Sequence, residues 1–400
     1  MSQPSRGSPA VPSGGARSRV EALRSRSRAP IGLLVLLVPV LSASCTSVAE
    51  RSAGTTSAPH STTSVAPTRD PMLQPFASTS IWNMPIGDGA QLVPAHIAAS
   101  KQIGNFAEEE VLVLAPKAPM VDLLESHADW NPALDRCVPE PGGVVVDRVP
   151  IPTGFVTEPK LGTTDDNAAA ILRPNGRTLH QSQPVVRCSN GTATTHYRFD
   201  DADIYGDGIA GAHGGSGLSA LGGTIRLGEL VPHGTIRHAL KIVIPPRYYH
   251  YDRTDTTPGF RWPASTADGH AAQTYTGREP ALEMGSLLAL PTDFDVEALR
   301  TEPARIVARA ARDYGIYVVD SAGFDSYALA IEWSPAGRVI NEFQSTWSMP
   351  FVQENLSHPW STDLAAIMTH LAVVANNRPE APGGGGIPRV PLPPALVDPG

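Results

Sequence analysis

The sequence predicts a mainly β protein: a β-sandwich or jelly-roll-like single domain with a few helices, with a mixed α+β fold as the alternative. Three observations carry this. The 400 residues include 39 Pro and 36 Gly, a composition that favours turns over long helices. Charged residues make up 18% of the chain and hydrophobic ones 41%, enough apolar surface for a substantial core. Short β-branched runs recur between turn signals, whereas helical periodicity shows at only two places.

Residues 1–44 read as a signal peptide. Arg17, Arg19, Arg24, Arg26 and Arg28 precede the apolar run Ile31 to Leu41, which is too short for a comfortable transmembrane helix. The following Leu41-Ser42-Ala43-Ser44-Cys45 resembles a bacterial lipobox, with its Leu one place early, and makes Cys45 the expected lipidation site. Residues 45–70 then form a Ser/Thr-rich tether with no apolar period. The expected address is extracytoplasmic: a lipoprotein anchored to the cell membrane, with simple secretion as the alternative. Once Cys45 is set aside, Cys137 and Cys188 remain as an even pair for a disulfide in an oxidising compartment.

The folded body is expected over residues 71–377, followed by an extended Pro/Gly-rich tail over 378–400. Phe76 to Ile86 is an opening segment anchored by Trp82. Glu110 to Ala115 and Gly143 to Ile151 read as strands. Asp165 to Arg173 reads as a short polar loop, and Thr178 to Arg187 as part of a hairpin turning at Pro174-Asn175-Gly176. Thr194 to Phe199 is strand-like. Glu297 to Tyr314 has helical spacing, with Pro303 in the first turn and Gly315 as the stop. Ile316 to Val319 and Tyr327 to Trp333 read as strands, and Thr362 to Val373 as a second helix.

The densest signal is Ile204 to Ile244. Nine glycines lie between Gly206 and Gly228, so the backbone there must turn sharply or approach something closely. Gly206-Asp207-Gly208-Ile209-Ala210-Gly211 matches a dinucleotide fingerprint. The acidic run before it and the excess of glycine after it reject that reading. His213-Gly214-Gly215-Ser216 is similar to an esterase oxyanion loop, but no G-x-S-x-G elbow accompanies it. An EF-hand is excluded because Ala212 stands where the closing Glu belongs. With no spaced set of zinc ligands, no metal or cofactor is expected, apart from an irregular structural calcium site near Asp201 to Asp207.

Downstream, Thr224 to Val231 and Ile236 to Ile244 read as an antiparallel hairpin. In that register Ile225 faces Ile242, Leu227 faces Leu240, and Glu229 faces His238. A carboxylate opposite an imidazole is an oriented acid–base pair or a structural hydrogen bond. Glu229 and His238 are therefore the leading catalytic candidates, with Asp207 and His213 accessory. Arg226, Tyr249 and Trp262 are the candidate substrate-binding residues. Arg237 and Lys241 lie beside Arg226 on the polar face. Glu283, Asp320, Asp325 and Glu332 are spare carboxylates, and nothing in their spacing selects two as a glycosidase pair.

The set GGTIRLGEL (Gly222 to Leu230), RHAL (Arg237 to Leu240), RWPA (Arg261 to Ala264), Glu283 to Leu287 and YGIYVVD (Tyr314 to Asp320) resembles a largely uncharacterised family of secreted bacterial proteins of actinobacterial type. The resemblance implies a common extracellular fold and transfers no catalytic residue.

Two functions fit these readings. One is a glycan-active hydrolase or lyase of the cell envelope. The other is a non-catalytic surface lipoprotein that binds glycan or an envelope partner. Residues 1–44 hold six Arg and one Glu, so the remainder carries −13 against −8 for the whole chain. A surface this acidic argues against nucleic acid as a partner.

Overall fold

A computed structural model describes residues 69–128, 130–159 and 166–398. The expected signal peptide, Cys45 and nearly all of the tether lie outside the described residues. Those described belong to one compact unit, Ser64–Gly400. Strand outweighs helix, so the protein is mainly β with four α-helices among the described residues.

A 12-stranded mixed sheet runs through the molecule in the order Leu92–Pro94, Ala372–Val374, Leu287–Ala289, Ile316–Ser321, Leu240–Ile244, Ala328–Ser334, Phe106–Val113, Ala169–Leu172, Thr178–Gln183, Ala202–Asp203. Two short strands, Gly337–Arg338 and Tyr197–Arg198, pair off this path. Leu240–Ile244 is parallel to Ile316–Ser321, and Phe106–Val113 is parallel to both Ala328–Ser334 and Ala169–Leu172. A separate four-stranded sheet comprises Val145–Pro150, Met120–Glu125, Ala193–Thr195 and Val186–Arg187.

Alternation along the strands splits the core. One face of the long sheet presents Ile242, Ile244, Val318, Leu329 and Ile331 to the helices. Helix Glu302–Asp313 buries Ile306, Val307, Ala310 and Ala311 there, and starts with Pro303 in its first turn. It stops before Gly315, whose φ of 86° suits only glycine well. Helices Val339–Trp347 and Pro359–His370 supply Phe343 and Trp360 to the same core. The first of these escaped the sequence reading, since its apolar stripe is short. Further along, Val111, Val113, Ala169 and Ile171 meet Leu123 and Val149 of the small sheet.

The opposite face carries Val243, Tyr317, Val319 and Leu112, and the glycine-rich segment lies across it with Trp82. Here the glycines permit close approach: a methyl group on Gly222 would overlap the Trp82 indole, and one on Gly211 the Gln181 amide. Side chains from the sheet satisfy the backbone of this segment. Gln181 donates to the Ala210 carbonyl (2.9 Å) and accepts from the Ala220 amide (2.9 Å), while Trp82 Nε1 donates to the Gly208 carbonyl (2.6 Å). A loop can cross a core only when its polar groups are paired in this way.

The turn at Pro174 to Gly176 joins Ala169–Leu172 to Thr178–Gln183 as an antiparallel pair, so four residues of the predicted polar loop are strand. The hairpin predicted over Thr224 to Ile244 is corrected. Leu240–Ile244 is a strand, but both its edges are taken by Ile316–Ser321 and Ala328–Ser334. Residues 224–231 run as bridge and turns, with Ile225 paired to Ile331 and not to Ile242. Long-range pairing at a central position outcompeted the local hairpin.

The tail from Arg378 lies over the body. Gly87 and Gly89 donate to the Gly383 and Gly385 carbonyls (3.0 Å each), and Ile387 N donates to Asp88 Oδ1 (2.7 Å). Arg389 donates to the Leu290 carbonyl (3.1 Å). The Cys137–Cys188 disulfide is formed.

Candidate functional site

The sequence-predicted pair meets, though not across a hairpin. His238 Nε2 lies 3.2 Å from both Glu229 oxygens, and Nδ1 lies 2.8 Å from the Ala239 carbonyl. Both ring nitrogens therefore face acceptors, an arrangement that suits the doubly protonated ring. Burial would lower the His238 pKa, but Glu229 outweighs it and the net direction is upward. An imidazolium without a free lone pair serves as a link, not as a base. Glu229 also accepts from Arg226 N (2.6 Å), so the pair closes a turn, beside a space of only 20 Å³.

The remaining candidates lie elsewhere. Asp207 is exposed and accepts from Ile209 N (3.1 Å); it bonds to neither Glu229 nor His238. Arg226 is held by Glu332 (2.7 Å). Tyr249 is fully buried, with its hydroxyl on the Asp320 carbonyl, and Trp262 packs against the core. Lys241, expected on an open polar face, is fully enclosed. Asp201 is paired with Arg173 and Arg198, and Asp203 with Arg177. Guanidinium groups thus already occupy carboxylates expected for calcium.

The buried polar centre is where the glycine-rich segment crosses Phe106–Val113. His213 is completely enclosed. Its Nε2 is 3.1 Å from Glu110 Oε1 and its Nδ1 is 3.6 Å from Asp320 Oδ2. Burial opposes charge on this ring, but Glu110 and Asp320 outweigh it and push its pKa up to about 10. Lys241 Nζ also reaches Glu110 Oε1 (2.8 Å) and donates to the Ser219 and Ala220 carbonyls (2.9 Å each). Burial raises the Glu110 pKa, yet Lys241 and His213 together bring it below the usual range. Gly214 and Gly215 admit Asp320, because a methyl on either would crowd its oxygens.

Beside this centre a cleft of about 630 Å³ opens. It forms where Phe106–Val113 lacks a second neighbour: pairing with Ala169–Leu172 begins only at Val111 among the described residues. Glu108 and Asp166 line it. Burial, then the charge of Asp320, pushes the Asp166 carboxyl up to about 8. Burial, then Asp166, pushes Glu108 well above its ordinary value. Phe106, Phe324, Trp130 and Trp333 give the cleft aromatic surface. Carboxyl groups that keep a proton near neutral pH beside other carboxylates form an acid–base set. Asp320 is the only one of the four spare carboxylates that joins it. Glu283, pushed up to about 7 by burial and then by Asp255, sits apart beside Arg261. Sequence reasoning missed Glu108 and Asp166; the signal was Glu108-Glu109-Glu110 running directly into an apolar strand.

A second buried array joins Asp147 Oδ2 to His180 Nδ1 (2.9 Å) and His180 Nε2 to Ser182 Oγ (2.9 Å). It has the connectivity of a serine triad, but His180 and Ser182 are fully buried between the sheets. Arg173 and Arg198 occupy the Asp147 carboxylate. Asp147, His180 and Asp201 come together closely enough to hold a metal ion, yet these same guanidinium groups compete for the position. Burial, opposed by Asp147, lowers the His180 pKa to about 4. The folded state therefore keeps the ring neutral while the unfolded chain takes up a proton below about 6.5. Stability is full above that pH and falls as the pH drops toward 4, by roughly 3 kcal/mol for a shift of this size. Urea unfolding across pH 7 to 4 is expected to show this loss, and His180→Gln is expected to flatten it.

Comparison with protein-family models, with curated proteins and with solved structures returns no match. Among the described residues no helix is long and apolar enough to cross a membrane.

Proposed function

We propose that the protein is an exported lipoprotein, anchored at Cys45 outside the cytoplasmic membrane, whose cleft hydrolyses an envelope glycan. The observation that carries this reading is the Asp166 carboxyl, pushed up to about 8, beside Glu108, itself raised well above its ordinary value, in an aromatic-lined cleft next to Asp320 and its His213 partner. In this reading Asp166 donates a proton to the glycosidic oxygen and Asp320 acts on the opposite side as base or nucleophile. The aromatic rings receive the apolar faces of the sugars. Hydrolysis fits better than lysis. A lyase acting on uronate needs cations against the sugar carboxylate, and Arg338, the only cationic residue among the described residues that line the cleft, donates to Glu109 (2.8 Å).

Release of reducing ends from purified envelope glycans tests this. The wild type is expected to turn over at least one glycan, with an activity that falls as the pH rises past the Asp166 titration near 8. Asp166→Asn and Asp320→Asn are expected to lose at least about a hundredfold in turnover while keeping the far-UV spectrum. Binding without turnover in the wild type would instead support the non-catalytic glycan-binding lipoprotein.

A further inference from the structure

Asn167 follows Asp166 and lines the same cleft, yet the residue is only 2% exposed. Its Nδ2 has no hydrogen-bond partner among the described residues. Its backbone stands at a positive φ of 42°, and its carbonyl accepts from Val185 N (3.0 Å). The left-handed position explains why Asn or Gly is suited there. It does not explain an enclosed amide donor left unpaired, which costs free energy until an acceptor arrives. Glycine would hold the same backbone without that cost.

The other walls narrow the acceptor. Among the described residues, Glu108, Glu109, Glu158 and Asp166 line the cleft against Arg338 as the one cationic lining residue. An anionic glycan is thereby disfavoured. Phe324, 39% exposed, stands edge-to-face with Phe106 at 5.2 Å and offers an apolar surface. A ligand that combines a strong neutral acceptor with apolar faces fits such walls, and an acetamido sugar has both.

We propose that Asn167 is a substrate-positioning residue whose side-chain N–H receives the acetamido carbonyl of an uncharged N-acetylhexosamine chain bound in the cleft. This rests on the reading of the cleft as a glycan site. It adds the substrate class and the residue that selects it.

Equilibrium binding by tryptophan fluorescence tests it, since Trp130 and Trp333 line the cleft. The probes are a tetramer of N-acetylglucosamine, a tetramer of glucosamine and a tetramer of galacturonate. The wild type is expected to bind the acetylated tetramer at least tenfold more tightly than the other two. Asn167→Gly is expected to weaken that binding about tenfold, the equivalent of one lost hydrogen bond, with a thermal midpoint equal to or above wild type. Asn167→Asp, which keeps the shape and removes the donor, is expected to show the same loss and guards against a folding defect in the first variant. The proposal is overturned if either folded variant binds the acetylated tetramer as the wild type does. It is also overturned if the wild type binds none of the probes or prefers a charged one. Binding that depends on Asn167 but leads to no turnover ends the hydrolase reading alone. Turnover of the acetylated tetramer that is indifferent to Asn167 ends this inference alone.

Discussion

Replacing Lys241 by Met is expected to lower the unfolding free energy by about 3–5 kcal/mol, the usual effect of removing one partner from a buried ion pair. Lys241 is fully enclosed, and its three ammonium donors all have acceptors: Glu110, Ser219 and Ala220. Met fills similar volume but leaves Glu110 charged in a dry interior, with His213 as its remaining cationic partner. The Ser219 carbonyl also loses its donor, whereas the Ala220 carbonyl keeps Thr224 Oγ1 (2.7 Å). Adding Glu110→Gln to the same chain removes the stranded charge, so the double variant is expected to recover part of the loss. Urea unfolding at pH 7, followed by far-UV circular dichroism, measures all four corners of this cycle. Additive effects of the two substitutions would show that the pair is not a coupled unit.

Removing the disulfide is expected to have a comparable effect. Cys137 and Cys188 are 51 residues apart, and closing a loop of that length in the unfolded chain is worth about 4 kcal/mol in the loop-entropy model. The bridge sits against Val186 and ties the segment that carries Trp130 to the small sheet. The double variant Cys137→Ser, Cys188→Ser is expected to unfold at lower urea with a steeper dependence on denaturant, because its unfolded chain is less constrained. Equal midpoints with and without the bridge would show that it adds no net stability and would overturn this expectation.

Much of the fold was legible in local chemistry. Pro303 and Gly315 mark the helix between them, and Pro174-Asn175-Gly176 marks its turn, because both signals act within a few residues. Short apolar runs either side of a turn also announced the strands that became Ile316–Ser321 and Ala328–Ser334. Partner choice was not legible. Leu240–Ile244 has an apolar face whether it pairs with its neighbour in sequence or with strands 75 to 90 residues away, and only tertiary packing decides.

The site follows the same division. Glycine density marked Ile204 to Ile244 as a stretch of close backbone approach, and that approach is present at Gly211, Gly222 and Gly223. The Glu229–His238 contact was expected from a hairpin register that does not form; a turn brings the pair together instead, and the Ala239 carbonyl facing the second ring nitrogen was not foreseen. Glu108, Asp166 and Asp320 come from three distant segments, and no spacing connects them. Lys241 read as a surface charge because its three acceptors, one carboxylate and two carbonyls, are supplied by other segments.

The glycine clasp between residues 87–89 and 383–387 bears on how the chain reaches this state. The two partners are nearly 300 residues apart, and Arg389 adds contacts to the carbonyls of Ile86, Leu290 and Arg312. A chain emerging N-terminus first cannot make these contacts until its last segment is free. The first-emerging part must therefore wait, incompletely closed, for the final residues of the body.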